Sequence, residues 1–309
     1  MPKFSGFIFL LIFLLCYSFS EANTVDSLVL KRHVYRLTHT KKARNYSHPE
    51  ALEEASLYIR TQLDSMGLKW RKQHYYADSV LYHNVVVTYG DTSLPRLVIG
   101  AHYDVCMDLP GADDNASGVA GLLELARLLN HENPGLKNCI EMVFYTLEEP
   151  PYFRTEKMGS YIHAADLAQR KVEVSGMISL EMIGFYSEKK GSQNYPVSLM
   201  KLFYPSKGNF IAVVGKKGMK RMAKKFKKGI RKNAEIGSEM LIAPAKLQGV
   251  DFSDHLNYWL FGFKAIMITD SAFLRNKNYH RKTDTYLTLN YGKMSEVVNG
   301  IFHTLKKNF

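Results

Sequence analysis

Two neighbouring aspartates, Asp113 and Asp114, stand in the segment GADDNASG (residues 111–118) without a lysine or arginine beside them. The apolar residues that follow recur at helical spacing, so the sequence predicts that a helix begins here. Acids at its first turn would meet unpaired N–H groups and the positive end of the helix dipole. One capping acid would satisfy that need, so the second leaves a catalytic or metal-binding role open.

Other acids and histidines stand at or just beyond the ends of strand-like segments. His102 is the last residue of 96–102, and Asp104 follows shortly after it. The others are Glu148 and Glu149 after 139–147, Glu181 in 175–182, and His280 in the loop after 264–269. Taken alone, each histidine fits a satisfied core residue and the glutamate pair fits a solvated loop. In an open α/β sheet, however, the loops past the strand carboxyl ends converge on one crevice. Because carboxylates crowded there would repel one another, the pattern predicts a cation among them.

The types of these side chains indicate which metal would bind. Two imidazoles and three carboxylates suit zinc in a hydrolytic site. Five such groups exceed the needs of one catalytic zinc, whereas a carboxylate shared by two ions ~3.5–4 Å apart would use them all. One aspartate of the pair would then bridge the two ions, and its neighbour would support it or cap the helix.

The cysteines do not form a zinc-binding pattern. Cys106 and Cys139 lie too far apart for a zinc ribbon, so we expect nitrogen and oxygen ligands only. An exported compartment would permit a disulfide between them, and the sequence leaves that pairing open.

Strand-like and helical segments alternate along the chain, which predicts one α/β domain with a mostly parallel central sheet and helices on both faces. The expected strands cover 84–89, 96–102, 139–147, 175–182, 209–215 and 264–269. The expected helices cover about 47–66, with Ser47 and Glu50 as a capping box, then the segment after Ser117, 159–169, 216–232, 253–261 and 293–306.

The first 22 residues are typical of a signal peptide, with Lys3 at the start, an apolar run over residues 8–15 and small residues before the end. We therefore expect the folded domain to cover residues 23–309 and the protein to be exported, either periplasmic or secreted.

The formal net charge is +12, and ten lysines and arginines fall between Lys216 and Lys232 without an acid among them. Apolar residues at helical spacing within this run predict an amphipathic helix with a basic face. That face is either simply solvated or contacts an anionic surface, a lipid or an acidic peptide. Because no nucleic-acid-reading motif accompanies the charge, we expect no nucleic-acid partner.

Five short motifs together resemble a known family. In order along the chain they are AHYD, GADDNASG, LEEPP, SLEMIG and YHRKTDT. Over roughly residues 45–305 the chain resembles the exported di-zinc aminopeptidases, which belong to the zinc exopeptidases along with glutamate carboxypeptidase and glutaminyl cyclase. The resemblance implies a zinc exopeptidase (phosphorylase/hydrolase-like) fold and two Zn²⁺ ions.

The resemblance also implies a role for each site residue. His102 and Glu181 would hold one zinc, Glu149 and His280 would hold the other, and Asp114 would bridge them. Asp104 would accept the other ring N–H of His102, and Glu148 would be the general base that takes a proton from the attacking water. The sequence departs from the family's usual pattern in two places: Glu181 stands where aspartate is common, and Leu147 stands where glycine often precedes the glutamate pair.

The implied activity is zinc-dependent hydrolysis of N-terminal residues from peptides with a free N-terminus. Two alternatives remain: a glutaminyl cyclase-type transferase, and a non-catalytic, receptor-like binding module on the same fold. A cyclase works with one zinc and does not need all five ligands, and receptor-like relatives usually lose ligands. The complete ligand set therefore favours the aminopeptidase.

Overall fold

The computed structural model describes residues 24–309, so the predicted signal peptide lies outside the described residues. Eight strands form one sheet in the order β1-β2-β4-β3-β5-β8-β6-β7. Their bounds are Trp70–Ala77 (β1), Val80–Tyr89 (β2), Arg96–His102 (β3), Cys139–Tyr145 (β4), Val174–Glu181 (β5), Phe210–Gly215 (β6), Gly237–Ile242 (β7) and Ala265–Thr269 (β8).

The centre of the sheet is parallel and its flanks are mixed. Strands β4, β3, β5 and β8 are adjacent and parallel, so their carboxyl ends share one edge. Antiparallel pairs join β1 to β2, β2 to β4 and β6 to β8. The β1–β2 pair is antiparallel because Asp78 and Ser79, both with positive φ, form a two-residue hairpin turn.

Helices cover both faces of the sheet, as the sequence predicts. The α-helices are Ser27–Thr38 (α1), Pro49–Ser65 (α2), Gly118–Glu132 (α3), Gly159–Gln169 (α4), Lys220–Asn233 (α5), His255–Leu260 (α6) and Tyr291–Asn308 (α7). Apolar residues of α1, α2, α3, α5 and α7 share one core with the sheet. Residues of α4 and α6 form a second core on the opposite face.

Two predictions about individual helices have different outcomes. The basic segment is an amphipathic helix, as expected, because α5 buries Met222, Ala223, Phe226 and Ile230. The capping box at the start of α2 is wrong. Pro49 occupies the first turn and sets the start of the helix one residue too late for Ser47 to cap it, and Glu50 instead pairs with Lys42 at 2.9 Å.

Within residues 24–309, no helix is both long and apolar enough to span a bilayer.

Candidate metal centre

The predicted site residues meet at the carboxyl edge of the four parallel strands. His102 is the last residue of β3 and Glu181 is the last residue of β5. Glu148 and Glu149 follow β4, and His280 lies in the loop after β8. All of these side chains are buried except His280, which is 29% exposed. The topology therefore brings together residues that are far apart in the chain.

Asp114 lies between two histidines. Its Oδ1 is 3.4 Å from Nε2 of His102, and its Oδ2 is 3.1 Å from Nε2 of His280. Nε2 of His102 is also 3.4 Å from Oε2 of Glu181, and Nε2 of His280 is 3.3 Å from Oε2 of Glu149. Asp114 thus joins two ligand groups. The first ligand group also contains His102 and Glu181, and the second also contains Glu149 and His280.

The donor atoms of these two groups fit metal cations. Among residues 24–309, nothing donates a hydrogen bond to, or accepts one from, Nε2 of His102, Nε2 of His280 or Oε1 of Glu149. Buried polar atoms are normally paired, so atoms left unpaired at one place point to a ligand that the polypeptide itself does not supply. Imidazole nitrogen and carboxylate oxygen are the donors expected for zinc in a hydrolytic site.

Asp104 connects His102 to the glutamate pair. Its Oδ1 lies 3.5 Å from Nδ1 of His102 and accepts a 3.1 Å hydrogen bond from the N–H of Glu148. Its Oδ2 accepts a 3.0 Å bond from the N–H of Glu149. This carboxylate therefore lies beside the ring of one histidine and fixes the backbone that carries both glutamates.

Two glycines allow the turn that presents Asp114. Gly111 has φ of +58°, and a Cβ on it would lie 2.3 Å from the carbonyl oxygen of Asp114. A Cβ on Gly118 would lie 2.5 Å from the carbonyl oxygen of Leu180. Gly111 is therefore explained by its positive φ and by the close approach of the turn to itself, and Gly118 by its close approach to the end of β5.

Asp113 faces away from the two groups. Its Oδ1 accepts a 2.9 Å hydrogen bond from the N–H of Gly184, and its Oδ2 accepts a 2.7 Å bond from Nδ2 of Asn276. Asp284 accepts bonds from the backbone N–H groups of both Asp113 and Asp114. The first aspartate of the pair ties the loops after β5 and β8 together, and the second lies between the histidines.

Arg44 is a supporting residue that the sequence did not reveal. Its guanidinium is fully buried and donates hydrogen bonds to the carbonyls of Leu37, Tyr103 and Pro110. Burial lowers its pKa to about 10, although Asp284 and Asp104 oppose that shift. No motif or spacing marks this arginine, because its partners are backbone carbonyls.

Burial and crowding shift the protonation of the site. Burial raises the pKa of Glu149 to about 7, and the charge of Asp114 adds to this effect. Burial also raises the pKa of Glu148 well above its usual value, although His102 opposes the shift. Burial would lower the pKa of His102, but Glu181 and Glu148 outweigh it, and the net pKa is well above the ordinary value.

Ser253 and Asp254, at the start of α6, are two further site residues that were not predicted from the sequence. The hydroxyl of Ser253 donates a 2.7 Å hydrogen bond to Oε2 of Glu181. The carboxyl of Asp254 is fully buried, and burial raises its pKa to about 7 although the charge of His102 opposes that shift. The only sequence signal for this pair was its position at the start of the short helix predicted over 253–261.

Sequence comparison identifies the family. The profile of Peptidase family M28 matches residues 84–305, which include every predicted site residue. The chain belongs to peptidase family M28.

Individual relatives agree with this assignment. The "Uncharacterized protein YfbL" of Escherichia coli is 43% identical over 284 residues, covering 89% of this chain and 86% of that protein. Among solved structures, the Legionella pneumophila LapA aminopeptidase has a TM-score of 0.71 at 17% identity, covering 91% of this chain and 71% of that one. The Bacteroides thetaiotaomicron glutaminyl cyclase has a TM-score of 0.70 at 18% identity, covering 93% and 99% respectively. At these identities the two structures show a shared fold.

Two connected spaces adjoin the centre of this M28 peptidase. A cleft is lined by Asp114, Glu148, Glu149 and Glu181, with Phe252 and Tyr279 among its walls. A second space shares Glu181, Phe252 and Tyr279 with the cleft. Its other walls are mainly apolar and include Tyr195, Met200, Tyr204, Phe210, Ala212, Val214, Met240, Val250, Met267 and Phe273. The carboxylate-lined cleft therefore adjoins a mainly apolar pocket.

Proposed function

We propose that this M28 peptidase is a zinc-dependent aminopeptidase that holds two Zn²⁺ ions. The position of Asp114 carries the proposal, because its two oxygens face His102 and His280 separately. In this assignment His102, Asp114 and Glu181 hold one ion, and Asp114, Glu149 and His280 hold the other. When bound, such ions polarise the scissile carbonyl and acidify the attacking water.

Glu148 is the proposed general base. Its Oε2 lies 3.8 Å from Nε2 of His102, so its carboxylate stands at the edge of the first ligand group. It would accept a proton from the attacking water and pass that proton to the amine that leaves. The backbone bond from Glu148 to Asp104 fixes the base in place.

The cleft is lined by the carboxylates of Asp114, Glu148, Glu149 and Glu181. Three of these are proposed ligands whose charge the two ions would balance. The choice of an aminopeptidase over a carboxypeptidase therefore rests on the family and on the fold shared with the LapA aminopeptidase. The adjoining apolar pocket would accept the side chain of the residue that is removed. We therefore propose a preference for peptides whose N-terminal residue is large and apolar.

Export and a surface contact are also part of this proposal. The signal-like residues 1–22 support a periplasmic or secreted location. The basic face of α5 supports contact with an anionic surface. Lys227 of this helix is engaged with Glu239 at 2.7 Å, so the remaining basic residues of α5 would make that contact.

The proposed activity is tested with two peptide pools, one with free N-termini and one with acetylated N-termini. The zinc-supplied protein is incubated with each pool, and the products are read by mass spectrometry. We expect loss of single N-terminal residues from the free pool only, fastest for large apolar residues. The Glu148→Gln variant is the matched control for contaminating peptidases.

Other outcomes would replace the proposal. Loss of ammonia from N-terminal glutamine, without hydrolysis, would indicate a glutaminyl cyclase. Cleavage in both pools would indicate a different peptidase specificity. No change in either pool, from protein that binds zinc, would indicate a binding module.

A further inference from the structure

Cys106 lies beside the second ligand group. Its Sγ, a carboxylate oxygen of Glu149 and an imidazole nitrogen of His280 are all within 4.8 Å of one another. The thiol is buried, and it lines a small cavity together with Asp114, Glu149, His280 and Asp284. The loop after β3 therefore places sulfur against the same space that three carboxylates and an imidazole border.

Two polar atoms beside this thiol make no hydrogen bond, although His280 lies close to the carboxylates of Asp114 and Glu149. Oε1 of Glu149 is buried and accepts no hydrogen bond from any residue in the range 24–309. Nε2 of His280 is likewise unpaired within that range. An unpaired carboxylate oxygen on a side chain only 6% exposed is costly unless a cation is present. The groups around Cys106 are thus of the kinds that can bind a metal ion.

We propose that the thiolate of Cys106 is a fourth protein ligand of the ion held by Asp114, Glu149 and His280. The proposal rests on the two-metal site of the proposed function. On binding, the S–H bond breaks, its proton leaves to solvent, and a sulfur–metal bond forms without any redox change. This ligand departs from the expectation of nitrogen and oxygen donors alone.

Sulfur coordination would make the two ions unequal. Four protein ligands fill a tetrahedral zinc shell, which is the arrangement of closed structural sites. The ion held by His102, Asp114 and Glu181 has three ligands and keeps a position free, which is the arrangement of catalytic sites. Thiolate also favours soft metals, so the second ion would exchange less readily for Mg²⁺ or Mn²⁺.

Cobalt substitution tests the ligand directly. Metal-free protein is titrated with Co²⁺ to two equivalents, and the near-ultraviolet absorption is followed for an intense sulfur-to-cobalt charge-transfer band. Bound cobalt is counted separately by equilibrium dialysis. We expect the band in the wild type and in Cys139→Ser, whose buried thiol lies at the opposite end of the parallel strands. We expect Cys106→Ser to lose the band. We also expect its affinity for one of the two ions to fall by about 10- to 100-fold or more, because loss of a partner that only supports a ligand already has an effect of that size.

Each of the following outcomes would refute coordination of the metal by Cys106. Two bound cobalt ions without the band in the wild type would refute sulfur coordination and leave the two-metal site standing. A band that survives in Cys106→Ser would assign the sulfur elsewhere. Protein that binds no cobalt would refute both the metal site and its sulfur ligand. If Cys106→Ser does not fold, alkylation of the wild type decides, because zinc must protect Cys106 from iodoacetamide.

Discussion

Ser253 donates a 2.7 Å hydrogen bond to Oε2 of Glu181, the same oxygen that lies 3.4 Å from Nε2 of His102. Ser253 is in turn 2.7 Å from the hydroxyl of Ser179 in β5. Glutamate has one more rotatable bond than aspartate, so a carboxylate on this longer arm needs a fixed partner to hold its position. The serine supplies that partner at the point where the sequence departs from the usual aspartate.

Removing this hydroxyl should loosen one metal site. We expect Ser253→Ala to lower the affinity for one of the two zinc ions by about 10- to 100-fold, the usual effect of losing a hydrogen bond to a metal ligand. Competition with a chromophoric chelator measures that affinity. Ser295→Ala is the control, because its hydroxyl bonds the carbonyl of Gly292 in its own helix. Unchanged zinc affinity in Ser253→Ala would show that its hydroxyl is not needed to hold Glu181 in position.

Glu148→Gln should separate catalysis from metal binding. The amide keeps the shape of the side chain and cannot take a proton, so we expect kcat to fall about 10²- to 10⁴-fold. Zinc content, measured by mass spectrometry of the native protein, should stay at the wild-type value. Glu156→Gln, at an exposed position in the following loop, controls for loss of charge alone. Near-normal turnover by Glu148→Gln would show that another group is the base.

Metal-free protein should lose stability as pH rises from about 5 to 8. The folded pKa of Glu149, Asp254 and Asp284 is about 7 in each case, well above the values of about 4 in unfolded chains, so the folded state holds extra protons between these limits. The raised pKa of His102 and His280 acts in the same direction, since their contribution is lost as pH rises above about 6.5. The pKa of His83 and His255, which burial lowers to about 4, opposes this loss below about pH 6.5, so the loss should be steepest between about pH 6.5 and 8. The lowered pKa of Asp114 matters only below about pH 4.

Thermal unfolding in EDTA and in zinc measures this dependence. In EDTA we expect Tm to fall, most steeply between about pH 6.5 and 8. In zinc we expect Tm to fall less or to rise, because the metal requires deprotonated ligands and binds more tightly as pH increases. A Tm that rises with pH in EDTA would mean that the site carboxyls are not strained by burial and mutual repulsion.

Filling the apolar pocket should change which N-terminal residue is removed. Ala212 of β6 lines that pocket, so Ala212→Phe would occupy part of its volume. We expect kcat/KM for an N-terminal leucine or phenylalanine to fall more than about 10-fold, with a much smaller loss for alanine. Ala212→Val should give an intermediate loss. Equal losses for all N-terminal residues would mean that the side chain binds elsewhere, provided that Tm is unchanged.

The strands that carry ligands were predictable because each combines a buried apolar run with a polar residue at its end. Strand β3, predicted as 96–102, is Arg96–His102. The helix α1 and the strands β1 and β7 were not predicted. β1 and β7 are edge strands whose residues are mostly half-buried or exposed, and their sequences WRKQHYYA and GSEMLI contain no long apolar run.

The supporting residues of the site were harder to predict than its candidate ligands. Asp284 and Asp113 are 171 positions apart in the sequence, and their contact joins a carboxylate to a backbone N–H. Any residue except proline offers that N–H, so no residue type marks the pair. Arg44 could not be predicted for the same reason, because its partners are backbone carbonyls. The contact of Ser253 with Glu181 could not be predicted because it depends on where α6 packs. Long-range contacts to the backbone leave no pattern in the sequence.

The five candidate ligands lie at separate strand ends and in separate loops between residue 102 and residue 280 of the chain. A metal ion held by them would act as a cross-link that closes very long loops, and it would oppose unfolding through the entropy lost by the unfolded chain. The two cysteines that the structure describes are not joined by a disulfide. Metal supply would therefore govern how long this protein survives proteolysis as well as whether it is active.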